Sequence, residues 1–278
     1  MQRLSENELK ILHQRMLELL NEFERLCNIL EIQYIAIGGT LLGAIRHHGF
    51  IPWDDDIDVA LKREDYEKFL NLAARELGKE FFLQTFETDP GTTAYQAKLR
   101  LNGTLFIESS TIKRNMHQGI FLDIFPLDEI PRNGDESKKF CRQCFFWEQL
   151  FVAKNTYKTM GSVDDLKGLM RAAIRAALFV LMRPIHKKFI YYKLDTTLKR
   201  YRDCGSGKLT LPSGYGYKKY LTTSEIYPIT RQEFETTTIC APQDYDVFLH
   251  RLFGNYTQLP PEKKRYGHRP YKIKLDKE

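Results

Sequence analysis

An acidic segment with strand-like alternation, DDDIDVAL at residues 54–61, most constrains what this chain can fold into. In a strand, successive side chains point to opposite faces, so Asp56 and Asp58 would share one face while Ile57 and Val59 point to the core. Two carboxylates on one face repel each other unless a cation lies between them, and such oxygen ligands favour Mg²⁺ or Mn²⁺. The segment predicts a strand that carries a metal site. A solvated acidic turn that enters a strand is the alternative.

The other two acids of this segment are expected to differ from each other. Asp54 has the same parity as Asp56 and joins its face if the strand begins early enough. Asp55 has the opposite parity, so we expect it to point away and to be the least suitable ligand.

A doubled glycine lies upstream, in the sequence IAIGGT at residues 35–40. It follows a short apolar run that predicts a strand, and residues 40–46 after it predict a helix. Backbone N–H groups at a helix N-terminus bind anionic phosphate, and glycine lets the ligand approach the backbone. Gly38, Gly39 and Thr40 are therefore candidate phosphate-binding residues. An ordinary tight turn between strand and helix is the alternative.

A third acid, Asp123, lies in an apolar strand-like run, GIFLDIFP at residues 119–126. A buried carboxylate needs a partner. A metal shared with Asp56 and Asp58 would supply one, and a salt bridge to an arginine or lysine would serve equally well. The glycine turn, the paired acids and this third acid together indicate a phosphoryl-transfer site of the nucleotidyltransferase type, where a carboxylate-bound metal neutralises the transferring phosphate.

The remaining periodicity predicts the fold class α/β (α+β), with a nucleotidyltransferase-like mixed sheet flanked by helices and a helix-rich second half. We expect a catalytic core at residues 1–132 and a helical and mixed part at residues 133–278 that completes the donor and acceptor site. The predicted helices after the acidic segment span residues 65–77, 138–157, 166–182 and 185–201.

The charge of the chain bears on its partners. The net charge is +6 and the isoelectric point is near 8.9, which suits an anionic substrate but is too small to indicate nucleic acid. The charged N-terminus lacks the apolar core of a signal peptide, which predicts a cytoplasmic location and leaves open a place at the inner face of the membrane. Residues 166–183 carry four basic side chains and could lie on an anionic membrane. An ordinary buried helix is the alternative.

Three blocks of the sequence resemble the LicD family of phosphocholine transferases, which is related to fukutin and fukutin-related protein. Residues 38–59 closely resemble the family's signature, residues 122–127 its second block and residues 253–268 its C-terminal block. Residues 136–204 match no block of the family. The resemblance therefore extends over both halves of the chain and is most specific in the first block.

The resemblance implies a reaction and its catalytic acids. Phosphocholine would pass from CDP-choline, or a related cytidine diphosphate donor, to a sugar hydroxyl of a teichoic acid or lipopolysaccharide precursor, which is expected to be lipid-linked, and CMP would leave. Asp56, Asp58 and Asp123 would bind Mg²⁺ or Mn²⁺ and catalyse the transfer. Alternatives are transfer of another phospho-polyol or nucleotidyl group by the same fold, and a non-catalytic nucleotide-binding module in envelope synthesis.

Four further residues are candidate substrate contacts. Arg46 follows the glycine turn and would clamp phosphate charge. Trp53 would hold choline, because a quaternary ammonium is recognised by aromatic faces. The family resemblance favours Arg265 and His268 as groups that close over the nucleotide or the acceptor phosphate, whereas a solvated basic tail is the alternative.

Overall fold

The computed structural model describes residues 4–155, 166–211, 219–267 and 270–277. Within these ranges the strands are β1 Tyr34–Ala36, β2 Asp58–Lys62, β3 Phe81–Gln84, β4 Ala97–Leu101, β5 Leu105–Ile107, β6 Phe121–Glu129, β7 Lys208–Thr210, β8 Leu221–Thr222, β9 Thr230–Phe234, β10 Thr237–Ala241 and β11 Lys272–Lys274. The helices are α1 Glu6–Ile29, α2 Gly38–His47, α3 Arg63–Glu76, α4 Gly134–Asn155, α5 Leu166–Leu181, α6 Lys187–Leu198, α7 Thr223–Ile226 and α8 Tyr245–Phe253, with short 3₁₀ helices at Lys199–Tyr201 and Glu262–Lys264.

The central sheet is mixed, as predicted. Its strands follow the order β1-β2-β6-β4-β3, with β7 paired to the far end of β6 and β8 paired to β7. The strands β2 and β6 are parallel, and the other pairs are antiparallel. Separate two-stranded pairs join β9 to β10 and β11 to β5. Chain segments on both sides of the expected boundary at residue 132 thus contribute strands to one sheet.

The helix α1 covers one face of this sheet. A capping box of Ser5 and Glu8 begins it, and Met16, Phe23 and Leu26 on its inner side are fully buried. This helix contacts β4, β6 and α3, and α3 in turn contacts β2 and β6. Burial of these apolar side chains contributes most of the stability of the core. The opposite face of the same strands is left for polar side chains.

Two of the predicted element starts that differ from the structure concern the candidate site. The acidic strand begins at Asp58 rather than at residue 54, because β1 pairs with β2 only from Val59 onward. The three preceding acids therefore lie in a loop that follows a turn at Pro52. The helix after β1 begins at Gly38, which has a positive φ of 55°, so both glycines belong to its first turn.

A buried ion network attaches α6 to the core. Arg63, at the start of α3, binds Asp128 of β6 through two hydrogen bonds of 2.7 and 2.5 Å. Both side chains are almost fully buried. The hydroxyl of Tyr95 donates a 2.6 Å hydrogen bond to Asp195 on α6, which also pairs with Lys199. Charged groups this deep are tolerated because each has a partner.

A half-buried acid on α4 is expected to make the stability of the protein depend on pH. Glu148 forms no hydrogen bond or ion pair with another described residue, and burial raises its pKa from 4.5 to about 7. The native state therefore holds the Glu148 proton more tightly than the unfolded chain does. The stability gained from this tighter proton binding is fully present below the pKa that Glu148 has in the unfolded chain. It is lost as the pH rises from about 4.5 to 7.

We expect Glu148→Gln to stabilise the protein at pH 8 by up to about 3 kcal/mol, because the uncharged amide avoids this loss. The gain should shrink below about 1 kcal/mol at pH 5. Urea unfolding of both proteins at the two pH values measures the difference. Glu233→Gln is the control, because Glu233 is exposed on β9. An equal effect of Glu148→Gln at pH 5 and pH 8 would contradict the assignment.

Candidate active site

A row of polar side chains crosses four strands on the face opposite α1. The strand register pairs Asp58 on β2 with Asp123 on β6, Asp123 with Lys98 on β4, and Lys98 with Gln84 on β3. Laterally paired residues in a sheet point to the same face, so these four form one polar row. Because β2 and β6 are parallel and each acid lies near the beginning of its strand, Asp58 and Asp123 are neighbours at one edge of the sheet.

The carboxylate of Asp123 is held by two donors from β4 and the segment before it. Gln96 Nε2 donates to Oδ1 at 3.0 Å, and Lys98 Nζ donates to Oδ2 at 2.8 Å. Lys98 also lies over the Phe121 ring, 3.5 Å from its centroid. The sequence left a metal and a salt bridge open as partners of Asp123, and the structure contains the salt bridge. Gln96 and Lys98 thus orient the Asp123 carboxylate, and Lys98 balances its charge. This carboxylate is one of the three at which the sequence predicts a metal cation.

Asp58 is positioned through its backbone. The hydroxyl of Thr40 on α2 accepts a 2.8 Å hydrogen bond from the Asp58 N–H, and the Asp58 carbonyl accepts one from Ile37 N–H at 3.2 Å. The first turn of α2 therefore fixes the point at which β2 begins. This contact gives Thr40 a positioning role towards Asp58.

The three acids before β2 form a compact acidic loop of Asp54, Asp55 and Asp56. One carboxylate oxygen from each lies within 4.8 Å of the other two, an arrangement that could hold a metal ion. The prediction that Asp55 points away from its neighbours is wrong, because the strand begins after it and strand alternation does not apply. Asp55 is buried, and its carboxyl lies against Gly267.

The acidic loop lies against the glycine turn. A Cβ at Gly39 would approach Asp54 Oδ2 to 2.5 Å, so a larger residue at this position would require the Asp54 side chain to move. The doubled glycine and the acidic loop are therefore close to each other, as predicted, and they meet at Gly39 and Asp54. Asp56 lies two residues before Asp58 in the sequence, and Asp58 is paired with Asp123 in the sheet.

Two arginines and a tryptophan lie beside the acidic loop. The Arg265 guanidinium lies over the Trp53 ring, 5.4 Å from its centroid. Burial, and then the nearby charge of Arg265, lower the pKa of Arg46. Arg46 donates to the carbonyl of Tyr256 at 2.7 Å and to His47 Nε2 at 3.0 Å. Two neighbouring guanidinium groups attract an anion, which fits the predicted phosphate contacts of Arg46 and Arg265.

Arg46 is separated from the glycine turn by the length of α2. Seven residues separate Gly39 from Arg46, which corresponds to roughly 10 Å along the helix axis. A ligand that contacts both ends of α2 must therefore be extended.

A cavity of about 610 Å³ opens beside Arg265. Its wall combines aromatic rings, the guanidinium of Arg265 and three carboxylates. The lining side chains include Trp53, Tyr266, Arg265, Glu6, Asp55 and Glu262. Because Asp55 belongs both to this wall and to the acidic loop, the cavity and the acidic loop are continuous. The predicted substrate residue His268 lies outside the described residues.

Several residues of this site are absent from the sequence-based prediction. Lys98 and Gln96 could have been found from alternation. In and just before β4, polar residues alternate with apolar ones, so Gln96 and Lys98 share one face of the strand. Asp55 was ranked as the least suitable ligand because the strand was assumed to begin before it. Tyr266 gave no local signal, since only the tertiary fold brings the C-terminal segment to the acidic loop.

Comparison with known proteins identifies the part of the chain that holds these acids. Residues 31–159 match the family model described as "LicD/FKTN/FKRP, nucleotidyltransferase domain". Residues 31–159 are a LicD-family domain. The match includes Asp56, Asp58 and Asp123, and it confirms the family resemblance seen in the sequence.

Proteins with named transfer activities are among those similar to this chain. The lipopolysaccharide cholinephosphotransferase LicD of Haemophilus influenzae is 28% identical over 254 residues, which cover 91% of this chain and 92% of the relative. Human ribitol 5-phosphate transferase FKRP is 29% identical over 107 residues, 38% of this chain and 19% of the relative. An uncharacterized protein of Rickettsia prowazekii is 25% identical over 147 residues, 53% of this chain and 47% of the relative. The prediction of a phosphotransferase is confirmed.

Proposed function

We propose that this chain transfers phosphocholine from CDP-choline to a sugar hydroxyl of a lipopolysaccharide or teichoic acid precursor, with release of CMP. The observation that carries the proposal is the register of Asp58 beside Asp123 on parallel strands, directly after the acidic loop. The choice of phosphocholine rests on similarity to the cholinephosphotransferase over 91% of the chain.

The donor set fits Mg²⁺ or Mn²⁺. Every candidate ligand is a carboxylate oxygen, and hard divalent cations prefer such ligands. In our proposal Asp56 and Asp58 bind the ion, and Asp123 either completes the site or accepts the proton of the attacking hydroxyl. When bound, the ion neutralises charge on the donor diphosphate and orients it.

The protein's own cations would contribute to the same charge balance. Lys98 lies against Asp123 in the buried row, so its ammonium group is close to any phosphate that reaches that acid. Arg46 and Arg265 would bind the more distant phosphate oxygens, and N–H groups at the start of α2, at Gly38 and Gly39, would bind phosphate with the Thr40 hydroxyl. These groups stabilise the negative charge that phosphoryl transfer gathers on oxygen.

The cavity beside Trp53 suits a trimethylammonium group. Trp53 and Tyr266 provide aromatic faces, while Glu6, Asp55 and Glu262 give the wall negative charge. A quaternary ammonium donates no ordinary hydrogen bond, so aromatic faces and nearby carboxylates are its natural partners. In our proposal Arg265, which lies over Trp53 in the structure, turns towards phosphate when the donor enters.

Thermal shift tests the donor. At a hundred times its Kd, CDP-choline with Mg²⁺ should stabilise the protein by about 2.7 kcal/mol, or roughly 5–10 °C, and less without Mg²⁺. Tyr266→Ala should reduce the shift caused by CDP-choline and leave that caused by CMP unchanged. Tyr271→Ala is the matched control, because Tyr271 is similarly exposed and does not line the cavity. If each ligand shifted Tyr266→Ala as much as it shifts Tyr271→Ala, with CDP-choline as well as with CMP, the choline pocket would be refuted.

A ribitol phosphate donor is the second candidate, favoured by the similarity to FKRP. CDP-ribitol carries a polyol in place of the ammonium group, so its shift should be insensitive to Tyr266→Ala. A larger Mg²⁺-dependent shift with CDP-ribitol than with CDP-choline would select this candidate. A shift with UTP alone would favour nucleotidyl transfer, and donor binding without CMP release would favour a non-catalytic module.

A further inference from the structure

The helix α5 presents an apolar face to solvent. Each of its large apolar side chains on this face is between 57% and 66% exposed. This apolar face of α5 consists of Leu169, Met170, Ile174, Val180 and Leu181. Monomeric proteins seldom leave such a continuous stripe exposed unless it is a binding surface.

The other side of α5 is the one that packs on the protein. Gly168 is buried, and Ala172 and Phe179 are half-buried at helical spacing from it. The contacts of α5 are with α4. The sequence left open whether this segment is an ordinary buried helix or a surface helix, and its described side chains match a surface helix.

The charge around this face has one sign. Between residues 166 and 202 there are ten lysines and arginines and a single acid, Asp195, and that acid is neutralised by Lys199. Five of the basic side chains are exposed and form no ion pair with another described residue: Arg171, Arg183, Lys188, Lys193 and Arg200. The segment that contains the apolar face is therefore strongly cationic.

Exposed aromatic side chains lie on α4, which contacts α5, and on α6, which contacts α4. Phe145 and Phe146 on α4 and Phe189 on α6 are each more than half exposed. The ring of Trp147 connects Phe146 and Phe189, at 5.4 and 6.3 Å between centroids. Aromatic rings next to basic side chains are typical of groups that lie at a membrane–water interface.

We infer that the apolar face of α5 docks on an anionic lipid bilayer, with the helix lying in the plane of the interface. A helix of 16 residues is about 24 Å long, shorter than the roughly 30 Å hydrocarbon core. None of the described helices is long and apolar enough to span a bilayer. A second copy of this chain is a poorer occupant, because two cationic surfaces would repel each other. The inference does not depend on the reaction proposed above.

Vesicle flotation of the full chain tests this inference. The protein should float with vesicles of phosphatidylcholine containing 30% phosphatidylglycerol, and far less with pure phosphatidylcholine, since basic side chains add electrostatic attraction. Raising NaCl to 0.5 M should weaken the binding. The double variant Ile174→Glu/Leu181→Glu should bind anionic vesicles at least about tenfold more weakly.

The control is Val247→Glu on α8, an exposed apolar residue distant in sequence from α5. It should bind vesicles like the wild type, and circular dichroism should show all variants folded. Two results would overturn the inference. One is the absence of binding to anionic vesicles. The other is a dimer in sedimentation that Ile174→Glu/Leu181→Glu disrupts, because the face would then join two copies.

Discussion

Asp58→Asn is expected to lower the rate of group transfer at least about a thousandfold, because it removes a ligand charge from the proposed metal site while keeping the shape of the side chain. The fold should survive. Asp58 is held by the hydrogen bonds of its backbone to Thr40 and Ile37, which asparagine retains. Because the substitution also relieves repulsion among clustered carboxylates, the melting temperature without metal should stay the same or rise.

CMP release from the donor in the presence of a glycan acceptor measures this loss, and thermal melting measures the fold. Asp135→Asn is the control, since Asp135 is exposed at the start of α4 and pairs only with Lys138 among the described residues. Its activity should equal that of the wild type. If Asp58→Asn retained the rate of the control, Asp58 would have no place in the reaction.

Arg63→Ala should have the largest effect on stability. It leaves Asp128 as a buried charge without its two hydrogen bonds from Arg63, and breaking a buried ion pair on one side costs about 3–5 kcal/mol. In a protein of this size the melting temperature should fall by roughly 6–20 °C. Lys138→Ala, which removes an exposed ion pair, should cost less than about 1 kcal/mol.

A double variant separates the cost of an orphaned charge from the value of the pair. In Arg63→Met/Asp128→Leu both charges are absent, so no buried charge is left unpaired and most of the lost stability should return. Urea unfolding of the single and double variants gives the coupling free energy. Additive losses from the two single substitutions would show that the pair is not coupled.

The strands and acids of the candidate site could be predicted because their signals are local. Alternation located β2 and a continuous apolar run located β6, and Asp123 was recognised because an acid in an apolar strand needs a partner. The register of Asp58 beside Asp123 was not readable from the sequence. It depends on which strands become neighbours, and the polar row forms only because β2 and β6 are parallel.

The parts that escaped prediction depend on tertiary contacts. The acidic loop was assigned to β2 because alternation alone does not show where a partner strand ends, and β1 pairs with β2 only from Val59. Lys98 is the partner of Asp123 because β4 lies beside β6 in the sheet, and the sequence does not show which strands are neighbours. The cavity requires the N-terminus of α1, the acidic loop and the C-terminal segment to meet, and no local pattern encodes that meeting.

Titration with Mn²⁺, followed by electron paramagnetic resonance with and without CDP-choline, tests most directly whether these carboxylates form a metal centre. The wild-type chain should bind Mn²⁺ saturably, and Asp58→Asn should weaken binding at least about tenfold, because it removes a charged oxygen ligand. An equal loss in Asp123→Asn would assign Asp123 to the metal, and an unchanged affinity would assign it to the proton of the attacking hydroxyl. Asp135→Asn should bind as the wild type does. Equal Mn²⁺ affinity in all four proteins would contradict the account.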